Sequence, residues 1–157
     1  MKTMSLGDDV RVSEVQFGLK GDNVELILKN LSWKISQDIN FSAASVRSDL
    51  KRIAAYKPGI GDGIAVFDWL SEGIEEPYVL VSRLEHPVDI QAIDDRPVDF
   101  ILVLVSPDSQ SVTHLRHLSR LTRMFRDVDL LDQLRSTQCE DGMRAVLSPE
   151  NRQVLAA

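Results

Sequence analysis

A single cysteine, Cys139, stands among 157 residues, so no internal disulfide can form. There are three histidines, and no Cys/His spacing suggests a zinc site. No apolar run approaches the length of a membrane span, and no N-terminal stretch resembles a signal peptide. Positive charge is in deficit: 18 Lys and Arg against 24 Asp and Glu leave a net charge of -6. That balance argues against nucleic acid or an anionic membrane binding across the whole surface. Internal repeats, low-complexity tracts and linkers are absent as well. The expectation is a cytoplasmic protein with no nucleic-acid partner and no membrane insertion.

What is present describes a globular chain. Hydrophobic residues make up 43% and charged residues 27%, enough apolar material for a real core in one domain. Residues 1–22 are weakly patterned, with Val10, Val12, Val15 and Phe17 suited to a short strand or arm, and the main domain is expected over 23–157. Asp22 or Asn23 can cap a first helix carrying Val24, Ile27, Leu28, Leu31 and Ile35 at helical spacing. Ser42 can cap a second, with Val46, Leu50, Ile53 and Ala54 on one face, and Pro58-Gly59 stops it. Ile64–Phe67 and Tyr78–Leu84 read as strands.

After the turn signal Asp94-Asp95-Arg96-Pro97, the unbroken apolar run from Phe100 to Val105 marks a strand buried on both faces. Ser106-Pro107-Asp108 is expected to break that strand and cap a third helix, whose stripe would be Val112, Leu115, Leu118, Leu121 and Phe125. Two shorter helices follow around 130–134 and 141–147. With helices on both sides of the strands in sequence, the fold class is α/β, a central sheet flanked on both faces.

The densest local signal is Gly59-Ile60-Gly61-Asp62-Gly63-Ile64-Ala65-Val66-Phe67-Asp68. Glycine at this density lets backbone approach a ligand or partner closely. It lacks the Gly-Lys-Ser/Thr ending that cradles nucleotide phosphates.

The order of motifs resembles the fructose/mannitol-type enzyme IIA domains of the bacterial phosphotransferase system, and within them the nitrogen-regulatory IIA proteins. The second half carries the likeness most clearly: Leu84-Glu85-His86-Pro87-Val88-Asp89-Ile90, Ala92 to Asp99, the apolar strand ending at Ser106-Pro107, and His114-Leu115-Arg116-His117-Leu118-Ser119-Arg120-Leu121. In the family, the reactive histidine follows Arg-Glu, Gly-Ser-Thr and then Gly-Ile-Gly-x-Gly-Ile-Ala-Ile-Pro-His. Arg52, Gly59, Ile60, Gly61, Gly63, Ile64 and Ala65 match that pattern. The helix histidine that neighbours the reactive one matches His114. Ile53 stands where glutamate is usual, Tyr56-Lys57-Pro58 replaces Gly-Ser-Thr, Phe67 replaces proline, and Asp68 replaces the phosphorylated histidine.

The resemblance implies a mixed central sheet with helices on both faces and a site at Asp68, His114 and Arg52. It places a partner-docking surface around Gly63, Phe67 and Trp69. The partners it implies are proteins: a phosphocarrier-like protein, a transporter, a kinase or a metabolic enzyme. It calls for no cofactor and leaves a homodimer open.

A neutral imidazole is a good phosphoryl acceptor near neutral pH, whereas Asp68 is shorter and anionic and repels an incoming phosphoryl group. Aspartyl phosphates generally need a divalent cation held by further carboxylates, and Asp62 is the one nearby candidate. Asp68 is therefore expected to imitate the charge of the phosphorylated state, with Arg52, Lys57 and His114 around it, or else to be a solvated remnant of a lost site. An active phosphocarrier using His114 or Asp68 is the alternative. A third reading has an anion held by Arg52 and His114. Arg116, Arg120, Arg123 and Arg126 form a helical stripe that could dock an acidic partner or simply be solvated. His117 is expected to be exposed, His86 to sit in a turn, Trp33 to pack on the core, and Trp69 to cover the site opening.

Overall fold

The computed structural model describes residues 11–148. Five strands form one sheet, in chain order β1 (Glu14–Leu19), β2 (Gly59–Gly61), β3 (Ile64–Ser71), β4 (Tyr78–Val88) and β5 (Val98–Pro107). Five helices accompany them: α1 (Val24–Ile39), α2 (Ala43–Ala54), α3 (Ser111–Met124), α4 (Val128–Ser136) and α5 (Glu140–Val146). The spatial order is β1-β4-β5-β3-β2. β1 runs parallel to β4 and β3 parallel to β5, while β4–β5 and β2–β3 are antiparallel. The expected mixed sheet is therefore present. Residues 14–19, read as a strand or arm, join it as an edge; Val10 lies outside the described residues. Among the described residues, no helix is long and apolar enough to cross a membrane.

Local chemistry accounts for the helix starts on the first face. The Asn23 side chain accepts the Leu26 amide at 3.0 Å, and Ser42 Oγ accepts that of Ser45 at 3.1 Å. Each satisfies an amide that the first helical turn leaves without a backbone partner. α1 ends at Asn40, which takes the left-handed conformation at φ 59°.

Strand alternation then divides the core in two. Ala65, Phe67 and Trp69 of β3, with Ile101, Val103 and Val105 of β5, face α1 and α2, where Ile27, Leu31, Ile35, Val46 and Leu50 meet them. Ile64 and Val66, with Phe100, Leu102 and Leu104, face the other way, toward Leu121, Phe125, Leu130, Leu134 and Met143 of the later helices. β5 is buried on both sides, as its unbroken apolar run predicts.

Three expectations differ. β5 extends through Pro107, paired with Ser71, and α3 begins at Ser111 behind Gln110, which makes no side-chain cap bond. Asp108 therefore does not cap α3. Trp33 is 62% exposed, because Ile27, Leu28, Leu31 and Ile35 already form the inner face of α1. The α3 stripe is also misphased: Val112 and Leu115 are exposed at 67% and 65%. A strict three-residue spacing turns about 60° around a helix at each step, so 112, 115, 118 and 121 sweep from solvent to core rather than holding one face.

Candidate functional site

Asp68 is the one carboxylate on the helix-covered part of β3. By alternation it points to the face opposite Phe67 and Trp69, toward α3. On the neighbouring strand, Ser106 continues the Phe100, Leu102, Leu104 series toward the same side, in register with Leu70. His114 drops from the first turn of α3 between them. Its Nε2 lies 2.8 Å from Asp68 Oδ2 and its Nδ1 2.6 Å from Ser106 Oγ.

The chain of bonds fixes the ring. An ionised carboxylate only accepts, so Nε2 carries a proton and donates it to Asp68. In the neutral ring Nδ1 then accepts from the Ser106 hydroxyl, which is buried and has no other side-chain partner among the described residues. His114 is 5% exposed, while the Asp68 side chain keeps 32% of its surface. The outermost group of the relay is thus a carboxylate, held from beneath by an imidazole whose two nitrogens are both engaged. The hydroxyl–imidazole–carboxylate order invites comparison with a nucleophilic triad, but Ser106 is 1% exposed and sits at the closed end. The arrangement can present a fixed anion; it cannot offer a serine nucleophile.

Other site expectations are corrected by the layering. Arg52 belongs to α2, packed on the opposite face of the sheet, and pairs with Asp49 at 3.0 Å. It does not surround Asp68, so the reading of an anion held by Arg52 and His114 has no geometric basis. Lys57 precedes β2 and lines a cleft with Asp89, Gln91, Ala92, Ile93 and Asp95, and no ion pair joins it to Asp68 among the described residues. Phe67 and Trp69, expected on a docking surface, are 1% and 6% exposed on the α1–α2 side. Trp69 therefore does not cover the site.

Gly63, also expected there, is buried, and its glycine identity has a structural cause. At φ +84° a Cβ would come within 2.5 Å of Asp99 Oδ1 and 2.6 Å of Arg135 Nη2. Arg135 grips Asp99 with two bonds of 2.8 Å and donates a third, of 2.7 Å, to the Asp62 carbonyl. Donating to the Asp99 carboxylate raises the Arg135 pKa. Gly59 is as constrained, since a Cβ there would stand 2.7 Å from the Ala92 backbone. The glycine motif thus closes the β2–β3 hairpin against its neighbours. Asp62 is occupied there too: its amide donates to Asp94 Oδ2 at 3.0 Å, and its carboxylate lies 3.6 Å from Arg96. That amide and the Arg96 amide hold the Asp94 carboxyl below its ordinary pKa. Asp62 is therefore no second ligand for Asp68. Among the described residues, no group of three or more His, Cys, Asp or Glu side chains could hold a metal.

His117, expected at the surface, is 3% exposed. With His114 and Leu121 it recurs at i, i+3 and i+7 and so faces the sheet. Burial, then the positive charges of Arg120 and Arg116, lowers its pKa below 6.5. His86 is exposed within β4 rather than in a turn. Ser106 was legible only as a strand-ending residue. Counting by twos from Phe100 is the signal that places it beneath the site.

The family described as "Phosphoenolpyruvate-dependent sugar phosphotransferase system, EIIA 2" matches residues 10–149. This chain belongs to that family. The nitrogen regulatory protein of Escherichia coli K12 is 30% identical to this EIIA 2 chain over 125 residues, covering 79% of the chain and 72% of that protein. The nitrogen regulatory protein of Bradyrhizobium diazoefficiens is also 30% identical, over 89 residues, which span 57% of this chain and 58% of that protein. The crystal structure of nitrogen regulatory protein IIA-Ntr from Neisseria meningitidis superposes with a TM-score of 0.77 at 22% identity, over 86% of this chain and 92% of that one. The complex of mannitol enzyme IIA with phosphorylated enzyme IIB from Escherichia coli gives 0.65 at 14% identity, over 94% and 97%. The last two likenesses establish the fold of this EIIA 2 chain, and the first two place it beside nitrogen regulatory proteins.

Proposed function

We propose that this EIIA 2 chain is a regulatory protein that acts by binding other proteins, with Asp68 in place of the family's phosphoacceptor histidine. The observation that carries the reading is the 2.8 Å bond from His114 to Asp68. It holds a permanent negative charge where the active members of the family carry a transient one. A fixed carboxylate then commits the docking surface to one state, independent of the phosphoryl supply.

The competing phosphocarrier reading loses support at both candidate acceptors. His114 is buried with both nitrogens engaged: Nε2 gives its proton to Asp68 and the Nδ1 lone pair faces Ser106, so neither meets an incoming phosphoryl group. Among the described residues, Asp68 belongs to no group of three or more His, Cys, Asp or Glu side chains that could hold a cation. Asp68→Asn removes the charge while keeping the shape, so partner binding should be lost if charge is what the partner reads.

Incubation with phosphoenolpyruvate, enzyme I and the phosphocarrier protein, followed by intact-mass measurement, tests the proposal. Wild type is expected to remain unmodified, and Asp68→His to gain one phosphoryl group. A phosphorylated wild-type protein would overturn the proposal, and peptide mapping would then assign the acceptor.

A further inference from the structure

The outer face of α3 is unlike the rest of the surface. From Ser111 to Arg126 the chain holds Arg116, Arg120, Arg123 and Arg126 and no Asp or Glu, a local charge of +4 within a chain of -6. Elsewhere among the described residues, several cations are answered, Lys34 by Glu14 and Asp38, Lys51 by Glu25, Arg52 by Asp49, Arg96 by Asp62 and Arg144 by Glu14, while those left unpaired, such as Lys20, Lys29 and Lys57, are scattered singly. Neither Arg116, Arg120 and Arg123 of α3 nor Arg126 just past its end has a carboxylate partner among the described residues. Spaced at three and four residues, they repel one another along the helix.

Two further observations fall on the same helix. Val112 and Leu115, flanking His114, are exposed at 67% and 65% while the histidines at 114 and 117 face inward. The first turns of α3 therefore carry apolar residues outside and polar ones inside, an arrangement that folding alone does not reward. In addition, Arg120 Nη1 and His117 Nε2, one turn apart, are buried without a hydrogen-bond partner. Buried donors are ordinarily satisfied, so this flank lacks an acceptor.

We infer that the outer face of α3 is a docking surface for an acidic, amphipathic segment of a partner protein. This inference rests on the proposed regulatory reading and names its partner's chemistry. Val112 and Leu115 supply the apolar contact beside the Asp68 site, and the arginines receive carboxylates spaced at helical intervals. Guanidinium suits that role, since its planar fork matches a carboxylate with two parallel bonds. The excess of acid over the rest of the surface disfavours a polyanionic duplex or an anionic bilayer, each of which would meet much more than one helix. A single acidic segment avoids that repulsion.

The test is an amide NMR titration of the full chain with three probes: a helical peptide of alternating Glu- and Leu-rich turns, a DNA duplex, and phosphatidylserine-containing vesicles. The peptide should shift amides within 111–126, weaken with added salt, and bind at least about tenfold more weakly to Arg116→Glu/Arg123→Glu. Unchanged amides outside α3 will report that the variant is folded. If the double variant does not fold, Arg123→Gln, altering one exposed side chain, should still weaken binding. No shift with the peptide, shifts centred away from α3, or a stronger α3 response to duplex or vesicles would overturn the inference. The two proposals fail separately: phosphorylation of wild type removes the regulatory reading and leaves the titration intact, whereas a silent titration leaves the phosphorylation result standing.

Discussion

The two faces of β3 share a backbone and differ in almost everything else. Toward α1 and α2, Ala65, Phe67 and Trp69 enter a closed apolar layer with Ile101, Val103 and Val105. Toward α3, the same strand begins apolar with Ile64 and Val66 and then presents Asp68, beside Ser106 and His114. Of the five buried polar residues among the described residues, three, Ser106, His114 and His117, lie on this second side. Adjacent positions in a motif therefore have unrelated roles. Phe67 holds the fold, and Asp68 carries the chemistry.

The comparison breaks most visibly at Phe67. Phe67→Ala should cost about 3–5 kcal/mol by cavity formation in the closed layer. Asp68→Asn, one residue on, should cost about 1 kcal/mol or less, since it keeps an acceptor for His114 at a partly open position. Urea denaturation of both variants measures the contrast, and similar losses would erase the distinction between the faces.

Gly63→Ala probes the hairpin that sets β3 in register. It forces a Cβ into the Asp99–Arg135 pair at a positive φ, and a loss of about 1–3 kcal/mol is expected from thermal or chemical melting. Ser106→Ala sharpens the polar side. It leaves His114 Nδ1 buried without its hydroxyl, at a cost of about 1–3 kcal/mol, and should loosen the ring's preference for one tautomer. A ring unchanged in tautomer would remove Ser106 from the relay.

The smallest effect is that of His117. Its folded pKa lies below 6.5, so the unfolded chain takes up the proton first as pH falls. Stability from this group is present above about 6.5 and is lost as pH drops toward the folded value. His117→Leu should flatten the dependence of melting temperature on pH in that window. A slope identical to wild type would assign it to other groups.

How much of this was legible in the sequence follows the same division. Caps at Asn23 and Ser42, the doubly buried β5 and the layered α/β order are local or periodic signals, and all are present in the structure. The pairing of Asp68 with His114 was legible through the family resemblance, across 46 residues that no periodicity spans. What failed depended on facing. Phe67, Trp69 and Arg52 were grouped with Asp68 by their proximity in the chain or motif, whereas alternation and the choice of helix layer put them across the sheet. His117 was misjudged because the α3 stripe was read from apolar residues alone, and here the inner face of the first turns is histidine.

The central claim is that His114 holds Asp68 as a fixed anionic centre. Nitrogen-15 NMR of the His114 ring at neutral pH tests it most directly. The account predicts a single species protonated at Nε2, with that preference lost in Asp68→Ala. A ring protonated at Nδ1 alone, or averaging between tautomers in the wild type, would contradict it.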